Sequence, residues 1–307
     1  YRPLAEYLAD RGILVTGHDH LGHGASIRTK EDYGYFAEPD GNRAVLADLH
    51  AVTVLTKELY PNLPYFLLGH SMGSFYARQY LCEYGRELNG AIIMGKVAKT
   101  LCRVLAAFHG WHYRSNLVAN LSFMGYNKGL EGRTTHDWLN RDQAEVDKYL
   151  AEERCTFTFT LNAYYSMFSG ILRLHDPAFL AKMPKDLPLL FLAGDADPVG
   201  EQGKGVQRAI QSLKDAGVQN IECKLYPGAR HGSTFCPNGW RRFCQPDRQK
   251  CPALKVFPIA EKVPGTSVPG TFCVYFQLCC YAFLGAIQPS ITFTSALPRR
   301  PRSLGSR

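Results

Sequence analysis

Five residues constrain this chain more than any others: Gly69-His70-Ser71-Met72-Gly73, set between the apolar run Tyr65–Leu68 and a helical pattern over 72–84. A strand that passes into a helix through Gly-x-Ser-x-Gly makes a sharp, strained turn, and the serine hydroxyl then stands clear at the strand's C-terminal edge. The glycines two before and two after the serine let strand and helix approach. The amide of Met72, at the helix start, points to where an oxyanion would form. The alternative is an ordinary strand-to-helix turn, but the apolar strand before and the helix after favour the functional reading.

The rest of the chain up to residue 231 has the organisation such a turn requires. Strand candidates stand at Ile13–Val15, Tyr65–Leu68, 90–94, Leu187–Ala193 and Ile221–Tyr226. Helical patterns occupy 3–10, 42–59 (apolar at 45, 46, 49, 52 and 55), 72–84 and 201–215. Strands alternating with helices predict an α/β fold, a mostly parallel sheet covered on both faces. Residues 96–186 interrupt the alternation with a helical, aromatic-rich block in which Phe157, Phe159, Tyr164, Tyr165 and Phe168 lie close together. A block of that size between two strands reads as a cap rather than a loop. The expected division is a core of 1–95 and 187–231, a cap of 96–186 and a tail of 232–307.

Charge divides the chain at the same place. Of the net +8, none lies in residues 1–231, which carry 25 basic and 25 acidic side chains; residues 232–307 carry 10 and 2. The body therefore offers no charge argument for nucleic acid or an anionic membrane. The scattered cysteines Cys82, Cys102, Cys155 and Cys223 read as buried free thiols. Cys236, Cys244 and Cys251 lack the paired spacing of a zinc site. After His231 neither periodicity persists, and the apolar run Phe272–Ile287 is short for a membrane span. The basic Pro/Ser-rich end LPRRPRSLGSR reads as disordered. The tail as a whole is expected to be disordered, an out-of-frame or fused extension. The chain opens in mid-helix and without Met, so it reads as an N-terminally truncated fragment. No signal peptide pattern is visible, and a cytoplasmic location is the expectation.

A serine hydroxyl becomes a nucleophile when a base removes its proton and a carboxylate orients that base. On this type of sheet the chain order is serine, acid, histidine. Gly194-Asp195-Ala196-Asp197-Pro198 puts two aspartates just past a strand end. Asp197 is the choice for the acid, because Pro198 stiffens the loop behind it and Asp195 is close enough to the strand to cap it. His231 follows the last strand and is the candidate base. His18-Asp19-His20-Leu21-Gly22-His23 comes close to the His-x-His-x-Asp-His pattern of binuclear zinc hydrolases, but Gly22 stands where the second Asp should be. His109, His112, His136 and His175 read as solvated or core residues.

These residues together resemble the α/β-hydrolase superfamily, in its monoglyceride lipase, lysophospholipase and S33 aminopeptidase-like branch. The resemblance rests on Asp19-His20-Leu21-Gly22-His23-Gly24-Ala25-Ser26, Gly69–Gly73, Gly194–Gly200 and Tyr226–His231, in that order. Asp137-Trp138-Leu139-Asn140-Arg141-Asp142 and Tyr149 in the cap block also fit. It implies Ser71 as nucleophile, Asp197 as acid, His231 as base and the Met72 amide as an oxyanion donor, with no cofactor or metal. It implies carboxylic esters of apolar acyl chains as substrates, of monoacylglycerol or lysophospholipid type, and transient contact with a membrane surface through the cap. It also makes the Asp19–Ser26 stretch a structural loop. The alternatives are a peptidase on the same scaffold, a truncated inactive product and, remotely, a zinc-dependent hydrolase. Two departures follow. The His-Gly motif that supplies a further oxyanion donor would lie upstream of Tyr1, and its strand belongs between those near residues 15 and 66, so an open gap is expected in mid-sheet. Gly232, not Glu, follows His231.

Overall fold

A computed structural model describes residues 2–10, 12–94, 101–232, 272–277 and 291–293. Among these described residues seven strands, β1 (Ile13–Gly17), β2 (Tyr65–His70), β3 (Gly90–Met94), β4 (Leu189–Gly194), β5 (Ile221–Tyr226), β6 (Phe272–Gln277) and β7 (Ile291–Phe293), form one sheet in the order β5-β4-β3-β2-β6-β1-β7. Every neighbouring pair is parallel. β2 and β4 are buried at all their residues, as near-continuous apolar runs covered on both faces should be. This is the α/β architecture that the alternation predicts.

The helices are α1 (Arg2–Ala9), α2 (Gly41–Leu59), α3 (Met72–Tyr84), α4 (Leu101–His109), α5 (Asn116–Phe123), α6 (Gln143–Ala151), α7 (Glu153–Thr156), α8 (Leu161–Arg173), α9 (Pro177–Leu180) and α10 (Lys204–Asp215). α3 is buried over Met72–Cys82 because it lies on β2 and β3 and is overlain by α2 and α8. A helix covered on both sides has no polar face to spare, which is why its sequence shows little amphipathic contrast. α2 is capped by Asp40, whose carboxylate accepts from the Arg43 amide at 3.0 Å. α10 starts at Lys204 rather than 201, because Glu201, Gln202 and Gly203 all take positive φ (52°, 51° and 87°) and form a left-handed turn ahead of it. Within the aromatic block of 96–186 the described helices are α4 to α9.

Two expectations about the tail are corrected. The gap between β1 and β2 is filled: β6 lies in it, with Val274 opposite both Val15 and Phe66. An open slot would strand rows of backbone donors and acceptors inside the sheet, and the β-favouring segment FCVYFQ satisfies them. Phe272–Gln277 and Ile291–Phe293 are therefore strands, not disordered chain. The rest of the expected tail beyond Gly232, with Cys236, Cys244, Cys251 and the basic end, lies outside the described residues. Cys82 and Cys155 are buried free thiols as expected, but Cys223 is exposed, because it sits on the edge strand β5. Among the described residues no helix is long and apolar enough to cross a membrane.

Candidate active site

The turn from β2 into α3 is as sharp as its sequence demands. Ser71 takes φ 55° and ψ −124°, a conformation that L-residues rarely adopt. Such a position is strained by roughly 1–3 kcal/mol and persists only where packing enforces it. Gly69 shows why: a Cβ there would lie 2.5 Å from the Gly73 carbonyl oxygen and 2.7 Å from the Ala77 Cβ. The Ser71 carbonyl accepts from the Ser74 amide at 2.9 Å and the Ser74 hydroxyl at 2.6 Å, which fixes the turn from the helix side. Met72 begins α3, so its amide belongs to the first turn, where helix donors have no intrahelical acceptor.

The loops after β4 and β5 meet above the same sheet edge. A Cβ on Gly194 would fall 1.8 Å from the Ala229 carbonyl oxygen, so only glycine lets the two loops touch. The Ala196 amide donates to that carbonyl at 3.1 Å, and the Asp195 carboxylate accepts from the Gly228 amide at 2.7 Å. Asp195 therefore stitches the loops together, while Asp197 turns inward.

The structure brings the three candidate residues into one line. His231 Nε2 is 3.0 Å from Ser71 Oγ, and His231 Nδ1 donates to Asp197 Oδ2 at 3.0 Å. Asp197 and His231 are each 4% exposed, so the pair is shielded from water and salt. Burial alone would raise the Asp197 carboxyl. The adjoining His231 imidazole, its hydrogen bond and the Val199 amide at 2.9 Å outweigh this and hold the carboxyl below its ordinary value. Asp197 thus stays ionised in a dry site, the condition for orienting an imidazole.

The sequence reading missed several contributors. His70 is buried beside His231, with ring centroids 5.0 Å apart, and its Nε2 donates to the His231 carbonyl at 3.3 Å. Burial, and then the neighbouring imidazole, push His70 down to about 3, so it is a neutral donor. The Trp138 ring packs against His231 in a tilted arrangement, with centroids 5.4 Å apart. His136, taken as a solvated or core residue, lines the cavity in front of Ser71. That cavity measures about 170 Å³ and is walled mainly by Met72, Phe75, Phe123, Trp138, Phe159 and Tyr164, with Tyr126 and Tyr149 also present. The signal for His70 was inside the pentapeptide itself, at its second position.

The histidines after β1 form a different arrangement. Asp19 accepts from the Ala25 amide at 2.7 Å, and His23 Nδ1 donates to the Leu21 carbonyl at 3.0 Å. His20 packs against His18 and Tyr76. This is a tightly bonded loop, and among the described residues no group of three or more His, Cys, Asp or Glu is placed to hold a metal ion.

Residues 1–235 match the family described as serine aminopeptidase, S33. The chain belongs to that family. The S33 chain is 30% identical over 242 residues to mouse monoglyceride lipase, spanning 75% of this chain and 70% of the relative. It is 29% identical over 238 residues to the monoglyceride lipase homologue of monkeypox virus, spanning 75% and 76%. Among solved structures it is similar to a thermostable carboxyl esterase from Bacillus coagulans, determined with glycerol, at a TM-score of 0.66 and 24% identity over 76% of this chain and 87% of that one. It also resembles a soluble variant of Saccharomyces cerevisiae monoglyceride lipase bound to a substrate analogue, at 0.56 and 20% over 73% and 80%. The S33 chain is thus an α/β-hydrolase by fold and a hydrolase by family.

Proposed function

We propose that this chain is a serine carboxylester hydrolase acting on esters of apolar acyl chains, of the monoacylglycerol or lysophospholipid type. The observation that carries the reading is the unbroken line Ser71 Oγ, His231 imidazole, Asp197 carboxylate, with 3.0 Å at each junction. The Ser71 hydroxyl attacks the ester carbonyl while His231 Nε2 takes its proton. Asp197 holds the imidazolium and its tautomer. The Met72 amide donates to the oxyanion. The imidazolium then gives its proton to the leaving alcohol. A water molecule, deprotonated by His231, attacks the acyl-enzyme, releasing the acid and restoring Ser71.

The cavity supports the substrate class. Its described lining contains aromatic and aliphatic walls and no Asp or Glu, so it offers no carboxylate to pair with a free amino terminus. That favours an acyl chain over an aminopeptidase substrate, the second reading that the family description raises. The relatives named as monoglyceride lipases point the same way. Around α4 and α5, Phe108 and Met124 are 81% and 73% exposed, an apolar margin suited to touching a lipid surface.

The deciding assay compares p-nitrophenyl esters, aminoacyl p-nitroanilides and monoacylglycerol presented in vesicles or in detergent. Ester turnover should far exceed anilide turnover, vesicle-borne substrate should be favoured, and a fluorophosphonate probe should label Ser71. Ser71→Ala should lower ester kcat by roughly 10⁴-fold or more. Unchanged turnover in that variant, or labelling at another residue, removes the reading.

A further inference from the structure

We propose that Arg230 is a positioning residue for the base, and that it acts by clasping the base loop to the 131–140 segment of the aromatic block. This rests on the reading of His231 as general base. The Arg230 side chain is only 12% exposed, and its guanidinium reaches three partners in that segment. Nη1 donates to the carbonyls of Asp137 at 2.9 Å and Asn140 at 3.3 Å, and Nη2 donates to Glu131 Oε1 at 2.7 Å. Asp137–Leu139 is a single 3-10 turn, whose trailing carbonyls lack partners within the turn itself. A planar fork of donors suits such diverging oxygens, where a point charge does not.

The backbone continues what the side chain starts. The His231 amide donates to the Trp138 carbonyl at 3.4 Å, and the Gly232 amide donates to the Leu139 carbonyl. Residues 230, 231 and 232 are thus laid in succession along 137–140. That segment is itself held: the Asp137 carboxylate accepts from the Thr134 amide at 3.0 Å and its hydroxyl at 2.6 Å, and the Trp138 amide donates to Asn127 Oδ1 at 3.0 Å. On its other side the base loop is bonded to the loop after β4 through Ala229 and Gly228. His231 therefore hangs between the sheet and the aromatic block, and Arg230 closes the second attachment.

A base displaced by about 1 Å from its nucleophile can lose roughly a hundredfold in rate. Arg230 does not itself line the cavity, although His136, Trp138 and Leu139 of the segment it clasps do, so its loss should act more on kcat than on KM. Arg230→Met should lower kcat for a p-nitrophenyl ester by roughly tenfold to a hundredfold with a change in KM of about threefold or less, and slow fluorophosphonate labelling of Ser71 by the same factor as kcat. Arg230→Lys should recover little, because it cannot bridge the carbonyls. In Arg230→Gly, added ethylguanidinium should restore part of kcat, which a merely structural defect would not allow. Wild-type kcat and labelling rate in Arg230→Met, or no rescue of Arg230→Gly while its melting temperature is unchanged, would overturn the proposal. Either result with Ser71 still labelled leaves the proposed function intact; absence of Ser71 labelling in the unaltered protein removes both.

Discussion

The two halves of the sheet are assembled on different plans. From β5 through β4 and β3 to β2, each strand lies beside its nearest neighbour in sequence, and the candidate residues sit on loops after β2, β4 and β5. On the other half β1 lies between β6 and β7, two strands drawn from more than 250 residues further along the chain. In the first half β2–β3 and β4–β5 close by short crossovers through α3 and α10, while β3 and β4 are joined through the long helical block between them. The second needs a distant segment to complete it. The site is thus carried by the part of the molecule whose order is local, and the β2–β6 seam joins that part to the rest.

The seam is where the largest effect should be found. β6 pairs with five residues of β2 and five of β1, so its loss would leave buried backbone groups on both neighbours without partners, at about 1–3 kcal/mol each. The double substitution Val274→Pro/Tyr275→Pro removes two ladder donors and should abolish cooperative unfolding in a calorimetric scan. A wild-type melt from that variant would show that the site half stands without its neighbour, and would break the comparison.

A change inside the site half should act differently. Gly194→Val forces the Asp197 and His231 loops apart, since even a Cβ would overlap the Ala229 carbonyl. The expected result is a loss of ester turnover of roughly a hundredfold or more, with a folded protein that still melts cooperatively. If Gly194→Val and the seam variant lose folding and activity together, the two halves are one cooperative unit and the distinction is only geometric.

The same division decides what was legible in the sequence. β2, β3, β5 and α3 follow their apolar runs and turn signals closely, and the choice of Asp197 over Asp195 agrees with which carboxylate turns inward. Each of those readings needed only neighbouring residues. The placement of β6 did not follow, because nothing local in FCVYFQ specifies a partner more than 200 residues earlier; pairing of that range is set by the vacancy it fills. Arg230 and Trp138 stood inside quoted motifs and His136 was read as a solvated or core residue, but the contacts of all three went unread for the same reason. Their meaning comes from contacts between the aromatic block and the base loop, and side chains that meet across a fold carry no periodicity that marks them. His70 is the exception: it stood inside the motif, but an unspecified position gives no hint that its imidazole reaches the carbonyl of residue 231.

Acid should probe both halves at once, with the smallest effect of the three. His18 follows β1 and His70 ends β2, and burial pushes their imidazoles down to about 4 and about 3. The unfolded chain takes up a proton on each below about 6.5, whereas the folded chain does not until those lower values. Acid therefore favours the unfolded chain, and stability should fall as pH drops from 6.5 toward 4. At pH 5 each histidine withdraws about 2 kcal/mol. Asp48 works against them, since burial raises its carboxyl to about 6 and the folded form gains a proton that the unfolded form does not take until about 3.8. Asp197 matters only at the acid extreme, because the stability from its lowered carboxyl is lost as pH falls from about 3.8 toward its folded value. Denaturant titrations at pH 7.5 and pH 5 should differ by a few kcal/mol. His70→Asn, which removes the titrating group on the site half, should reduce that difference by about 2 kcal/mol, leaving what His18 and the buried His20 contribute less the offset from Asp48. Equal stability at the two pH values would mean that these imidazoles reach water in the folded chain, and that the junction between β1 and β2 is more open than its packing implies.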